Sequence, residues 1–260
     1  MEQRPLPAVI LAAGQGHRLL ESSRGLPKPL MPVLGVPLLE RTVLSCRAAG
    51  ITEVFVVVGY RQELLSPAIT ELARRYEMAL RAVVNPLWEE GNGTSALAAA
   101  PFLQRAFFLL MCDHVFEPEM LSHLRAAADD ADVPCSAGAD VCFLAVDRRI
   151  EEIFDLPDAT KVRLNGQTIM AIGKDVVPFD AIDTGLFLCQ PVLFEALERA
   201  RARGDSSLSG GMRQLLSNSK LQAVDIGAHF WSDVDTPASL VYTERMLQAR
   251  LAGSREILCH

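Results

Sequence analysis

Positive charge is scarce in this chain. Against 32 Asp and Glu stand 25 Lys and Arg, a formal net charge of −7 over 260 residues. A protein that grips nucleic acid through its phosphates needs a basic face, so nucleic acid is excluded as a partner. Any polyanionic ligand must instead be met by a local group of cations working against the net charge. Cysteine is sparse and unpatterned. The six cysteines include no C-x-x-C pair, which excludes a zinc knuckle and a thioredoxin motif. Met1 to Pro7 lacks the charged-then-apolar order of an export signal. Reduced thiols and a cytoplasmic location are therefore expected. Long apolar runs are missing too. Stretches such as Ala106–Met111 fall far short of the ~20 residues of a membrane span. Aromatic residues make up only 6%, so few rings are available to build a cage.

What is present is an ordinary globular composition, 50% hydrophobic and 22% charged. The length suits one or two domains, and α/β folds of this size are often single. Ala8–Ala13, Val54–Tyr60, Leu80–Val84 and Ala106–Met111 read as buried strands. Helical patterns separate them, over Leu38–Ala49, Pro67–Met78 and Thr94–Gln104. That alternation predicts βαβ units and a mainly parallel central sheet flanked by helices. Past residue 130 the texture becomes mixed. A hairpin is expected over Thr160–Ile172, turning at Asn165-Gly166. Strands follow at Thr184–Cys189 and Leu221–Ile226, and helices at Pro191–Ala202, Leu208–Leu216 and Pro237–Leu251. The expectation is one Rossmann-like α/β domain over residues 1–260. Its first half, to about residue 130, is of nucleotide-binding type. A small β-hairpin region serves the second half.

Leu11–Leu19, LAAGQGHRL, follows the first strand directly. Gly14 and Gly16 permit a sharp turn that presents backbone N–H groups to a phosphate. Arg18 adds a planar, charged donor. A glycine turn with no ligand reads equally well from spacing alone. A dinucleotide fingerprint would need glycine where Leu19 stands, and a P-loop would need Gly-Lys-Ser/Thr. Lys28 lies between Pro27 and Pro29, on stiff backbone that cannot be mid-helix. An isolated loop lysine is ordinarily solvated. The pair of signals is more specific than either one.

A-A-G-x-G-x-R-L followed by P-K-P-L resembles the signature of the nucleoside-triphosphate-dependent sugar-phosphate nucleotidyltransferases. Asn85–Leu97, NPLWEEGNGTSAL, is similar to a segment of the cytidylyltransferase branch. MCDHVF at Met111–Phe116 resembles that branch's metal motif. Ala159–Lys174 and Asp183–Phe187 resemble the enzymes that make CDP-inositol from CTP and inositol 1-phosphate, and WSDVDTP at Trp231–Pro237 completes the series. The likeness runs from about Ala8 to Leu240. It implies a nucleotidyltransferase fold and a nucleotide site at Leu11, Ala12, Ala13, Gly14, Gly16, Asn92, Gly93 and Ser95. Arg18 and Lys28 would be the catalytic cations. Cys112 stands where glycine is usual, and Thr94 where an aromatic is common. Relatives of this type are often fused to a membrane-embedded alcohol phosphotransferase; here that partner would be a separate protein using the product.

Asp113 ends an apolar strand, where open α/β sheets place their ligands. Asp233 and Asp235 flank Val234; in an extended segment both would face one side, and one of them, or Thr236, would cap the following helix. The resemblance implies Mg²⁺ held by Asp113 and by either Asp233 or Asp235. It also implies an acceptor site at Lys161, Lys174 and Asp183. His114 adjoins Asp113 and is expected to support it or simply to pack. The reaction implied is attack by an oxygen of the acceptor phosphate on the α-phosphorus of CTP, with pyrophosphate leaving. A phosphate monoester has a second pKa of about 6, so near neutral pH it needs no general base. Alternatives from the same class are GTP, dTTP or UTP as donor, and a hexose 1-phosphate, another cyclitol phosphate or phosphocholine as acceptor. A non-catalytic nucleotide-binding subunit and an NAD-dependent oxidoreductase are the other classes weighed. The first is disfavoured because the charged positions are retained, the second because the third glycine is missing.

Overall fold

The sequence AVILA at Ala8–Ala12 (β1) is buried on both faces, as a central parallel strand must be. In the computed structural model, residues 5–19, 25–130 and 140–257 are described. The chain continues through a short ribbon, Pro32–Val33 (β2) and Val36–Pro37 (β3), into helix Leu38–Ala48 (α1). Next come strand Glu53–Val58 (β4), helix Gln62–Tyr76 (α2), strand Ala79–Val84 (β5) and helix Asn92–Ala99 (α3). Phe107–Met111 (β6), His114–Phe116 (β7) and helix Glu119–Asp130 (α4) end the first half. The second half holds strands Cys142–Asp147 (β8), Lys161–Asn165 (β9), Thr168–Gly173 (β10) and Ala181–Cys189 (β11). Helices Val192–Arg201 (α5) and Leu208–Leu216 (α6), strands Leu221–Asp225 (β12) and Trp231–Asp233 (β13), and helix Pro237–Ile257 (α7) complete it.

Nine strands form one sheet in the order β5-β4-β1-β6-β11-β8-β12-β10-β9. The pairings run β10 and β11 opposite to the other seven, so the sheet is mainly parallel. Strand β9 also pairs with β11, through Ala181–Val162 and Ile182–Lys161. Strands β8 to β12 thereby close into a ring, and the hairpin is part of the sheet. Successive residues of β1 feed opposite faces. Ala8, Ile10 and Ala12 pack with Leu39, Leu65 and Leu121 of α1, α2 and α4. Val9 and Leu11 pack with Ala96, Leu197 and Met212 of α3, α5 and α6. Helices cover both faces, as a sheet buried on both sides requires.

Several elements differ from the sequence expectation. Strand β5, expected to be buried, stands at the edge of the sheet and is mostly exposed, and α3 ends at Ala99, short of Gln104. Helix α2 starts at Gln62 and carries Pro67 inside it. Leu65, Ile69 and Leu72 form one buried stripe, and burying its first member outweighs the hydrogen bond that proline removes. The hairpin pairs Asn165 with Thr168, so its two turn residues are Gly166 and Gln167. Gly166 has φ +62°, the glycine-first pattern of a type II′ turn. Among the described residues no helix is long and apolar enough to cross a membrane.

Candidate active site

Two cavities open at the carboxyl ends of the parallel strands and share a wall. One, of about 620 Å³, is lined by the loop Leu11–Arg18, Lys28, Trp88, Asn92, Ser95, Cys112, Asp113 and Asp235. The other, of about 310 Å³, takes in Asn92, Asp113, His114, Asp158, Lys174, Asp183, Trp231, Asp233 and Asp235. Asn92, Asp113 and Asp235 belong to both.

The two glycines of the loop serve different ends. A Cβ on Gly14 would meet nothing within 4 Å, whereas one on Gly16 (φ +63°) would lie 2.8 Å from the Lys28 side chain. Gly14 leaves the cavity open; Gly16 lets Lys28 lie against the loop. Lys28 opens a short 3-10 turn after the extended Pro27. It is 9% exposed and so far from a solvated loop lysine. Its Nζ donates to Asp113 Oδ2 at 2.6 Å and to Asp235 Oδ1. Burial alone would depress the ammonium's pKa; the two carboxylates overturn this and hold it above its ordinary value. Arg18 donates to Asp235 and, at 2.7 Å, to Asp158.

The strand-end acid Asp113 is pulled in the other direction. Burial would raise it, but Lys28 and His114 hold it well below the usual carboxylate range. His114 Nδ1 lies 2.8 Å from Asp113 Oδ1, and the neighbouring acids raise the imidazole to about 9 against the effect of burial. The ring stacks on Trp231, centroids 5.8 Å apart, and Trp231 Nε1 donates to the buried Asp147 at 2.8 Å. Strand β13 pairs with β7 so that Asp233 stands opposite His114. Burial lifts the Asp233 carboxyl to about 7, against the pull of His114. Its Oδ1 is buried and has no hydrogen-bond partner. Asp113, His114 and Asp233 offer ligand atoms within 4.8 Å of one another. Neither late acid caps α7: Thr236 does, accepting from Ser239 N at 3.1 Å. Both acids are thus left to the site, Asp235 to the cations and Asp233 to the strand-end acid.

Lys174 follows β10 directly, and Asp183 lies on β11; the ring closure brings both to the second cavity. Asp183 is pushed up to about 6 by burial, although Gly185 N donates to it at 2.8 Å. Gly185 (φ +72°) is required here, because a Cβ would lie 2.7 Å from the His114 ring.

Two residues expected in the site lie beside it. Lys161 Nζ donates to the carbonyls of Pro157 and Ala159 at 3.1 Å each; it braces a loop and lines neither cavity. Gly93 is a packing glycine: its N donates to Ser206 O at 3.0 Å, and a Cβ would sit 2.6 Å from that oxygen. Both misplacements reflect residues that face a neighbouring loop, which strand and helix patterns do not record. Thr94 is likewise buried, donating to Gly91 O at 2.7 Å. Trp88 lines the larger cavity and packs on Gly59. Asp158 is the residue that the sequence reading missed. It lies one position before the Ala159–Lys174 motif, and only the fold shows that it joins Arg18 to Lys174.

Two cavities, each lined by cations and meeting at a shared acidic wall, suit a transferase. The chain belongs to the MobA-like NTP transferase domain family, which matches residues 8–224. Within it, the chain is 39% identical over 254 residues to the "Bifunctional IPC transferase and DIPP synthase" of Rubrobacter xylanophilus, covering 96% of this chain and 53% of that protein. It is 39% identical over 174 residues to the "CMP-5'-(3-aminopropyl)phosphonate synthase" of Streptomyces rubellomurinus, covering 60% of this chain and 27% of that protein. The chain therefore spans about half the length, or less, of these curated relatives. The solved inositol-1-phosphate CTP transferase from T. maritima superposes with a TM-score of 0.79 at 25% identity, over 94% of this chain and 96% of that one.

Proposed function

We propose that the chain is a Mg²⁺-dependent cytidylyltransferase that joins CTP and inositol 1-phosphate to form CDP-inositol and pyrophosphate. The observation that carries this reading is the pair of cavities sharing Asp113 and Asp235. The T. maritima likeness extends over nearly the whole chain and so includes the acceptor half. Two of the relatives named above carry a cytidine nucleotide in their names, which supports cytosine as the base.

The glycine loop from Leu11 to Gly16, with Asn92 and Ser95, is the nucleotide site in this reading. Arg18 and Lys28 exchange their carboxylate partners for triphosphate oxygens and neutralise the charge that builds up at the α-phosphorus. Lys174 holds the acceptor phosphate, and Asp183 accepts a hydrogen bond from an acceptor hydroxyl. The acceptor phosphate is already ionised near neutral pH, so alignment and charge neutralisation supply the rate. Asp113 and Asp233 would hold the metal. The orphaned Asp233 Oδ1, buried and with no hydrogen-bond partner, supports the choice of Asp233 as the second ligand. When bound, Mg²⁺ supplies a Lewis acid and a template. Trp88, Phe116 and Trp231 do not converge as a cage. Trp88 lines one cavity, Trp231 the other, and Phe116 is buried, although Phe154, Phe230 and Tyr242 also line the second cavity; the hydroxyl-binding role given to Asp183, rather than a lack of rings, is the ground for preferring a polyol phosphate. A cytoplasmic location, with the product consumed by a membrane-embedded phosphotransferase, completes the proposal.

The test is pyrophosphate release across a matrix of nucleoside triphosphates and phosphorylated acceptors, with Mg²⁺ or with chelator. CTP with inositol 1-phosphate should give the highest kcat/KM, and Asp113→Asn should abolish turnover. Preference for another pair, or turnover in chelator, would refute it.

A further inference from the structure

Asp158 sits on the loop between β8 and β9, outside the motifs that suggested the function. One of its oxygens, Oδ2, accepts from Arg18 at 2.7 Å; the other, Oδ1, accepts from Lys174. Arg18 lines the nucleotide cavity, and Lys174 lines the acceptor cavity. A single carboxylate therefore occupies one phosphate-binding cation from each half of the site. The loop is held in place to do so. Ala159 N donates to Asp155 O at 3.1 Å, and the Lys161 ammonium clamps the carbonyls on either side of Asp158. Asp158 and its two partners are all partly solvent-exposed, so the carboxylate can be displaced without unfolding a core element.

We propose that Asp158 is a positioning residue that couples the two substrates: as a stand-in anion it bridges Arg18 and Lys174, and the first phosphate to bind loosens it for the second. This rests on the assignment of Arg18 to the nucleotide and Lys174 to the acceptor. A triphosphate on Arg18 withdraws one of the two anchors of Asp158 and repels its charge. The acceptor phosphate then displaces a carboxylate held by one cation instead of two. The cost of detaching the shared anion falls mostly on whichever substrate arrives first. Linkage makes the effect reciprocal: nucleotide and acceptor must tighten one another by the same factor.

The test is equilibrium binding of inositol 1-phosphate, in saturating Mg²⁺, with and without CTP carrying a methylene bridge between the α- and β-phosphates. That bridge replaces the bond that would break. The wild-type protein and Asp158→Asn are compared. Mutual repulsion of the two anionic ligands is common to both proteins, so the difference between them isolates Asp158. In the variant, inositol 1-phosphate alone should bind tighter, by roughly tenfold, and the factor by which the nucleotide improves it should fall by a similar amount, at the low end of typical couplings of about 5–150-fold. Asp158→Glu should restore the coupling, which a merely structural role would not require. An equal coupling factor in wild type and Asp158→Asn, with both ligands bound, would overturn the inference and leave the proposed reaction standing. Failure of the wild-type protein to bind either ligand would overturn both.

Discussion

At the scale of single residues, the site is a set of charges whose ordinary behaviour is reversed by burial and proximity. Lys28 is the clearest case, because a buried ammonium survives only between Asp113 and Asp235. Lys28→Ala should remove a charge-assisted contact to phosphate worth about 1.5–3 kcal/mol. At 1.36 kcal/mol per tenfold, that is a loss of roughly 10- to 150-fold in kcat at saturating CTP; unchanged turnover would end its catalytic assignment. Asp183 carries the opposite sign. Its folded pKa of about 6 lies above the ordinary 3.8, so the fold favours the neutral acid. Below pH ~4 the group is neutral in both folded and unfolded chains and imposes no penalty. Between pH ~4 and 6 the unfolded chain ionises this group while the folded protein keeps it neutral, so stability falls as pH rises, and above pH 6 the full loss of up to ~3 kcal/mol for two pK units is present. Asp183→Asn should therefore match wild type in Tm near pH 4 and exceed it above pH 7, while raising the KM for the acceptor far more than that for CTP. A Tm difference independent of pH would contradict the assignment.

At the scale of elements, glycines decide how closely strands, helices and loops approach. Gly93 lets the start of α3 touch the chain at Ser206, and Gly185 lets β11 pass under His114. Both Gly→Ala variants should lose stability, by about 1–3 kcal/mol where backbone strain is added. Their functional effects should separate. Gly185→Ala pushes on the His114 ring beside Asp113, and should lower the response of kcat to Mg²⁺. Gly93→Ala parts α3 from a loop outside the cavities, and should lower Tm with kcat at saturating substrates within a few-fold of wild type. Kinetics alongside thermal melts of both variants checks this. Equal kcat defects would show that Gly93 contributes more than packing.

At the scale of the whole molecule, the sheet gathers the loop after β1, the end of β6 and the segment after β10 onto a common rim. The ring closed by β9 on β11 carries Lys174 to the shared acidic wall. In the proposed reading a metal on Asp113 and Asp233 and a triphosphate on Lys28 and Arg18 meet at that wall, so each ligand favours the other. CTP and Mg²⁺ together should raise Tm more than the sum of their separate effects. Saturation at 100 times Kd corresponds to about 2.7 kcal/mol of stabilisation. Strictly additive shifts, measured by differential scanning fluorimetry, would place the metal away from the triphosphate.

Most of the architecture was legible from sequence alone. Apolar runs such as Ala8–Ala13 and Val54–Tyr60 can be buried only as interior strands, and the helical stripes between them can be buried only against those strands. The glycine loop and Lys28 also announced themselves, because turns and prolines constrain the backbone locally. Pro67 inside α2 and the one-residue shift of the hairpin turn did not, since burial of Leu65 and the pairing of Asn165 with Thr168 depend on partners distant in the chain. The same holds for the site. Residue type and spacing point to Arg18 and Asp113, and family resemblance to Lys174, but an electrostatic partner has no sequence signature when it lies 140 residues away, as Asp158 does from Arg18. Only the folded sheet, by bringing those loops within hydrogen-bond reach, decided that Asp233 keeps an unpartnered oxygen, that Lys161 serves a loop, and that one carboxylate joins the two halves of the site.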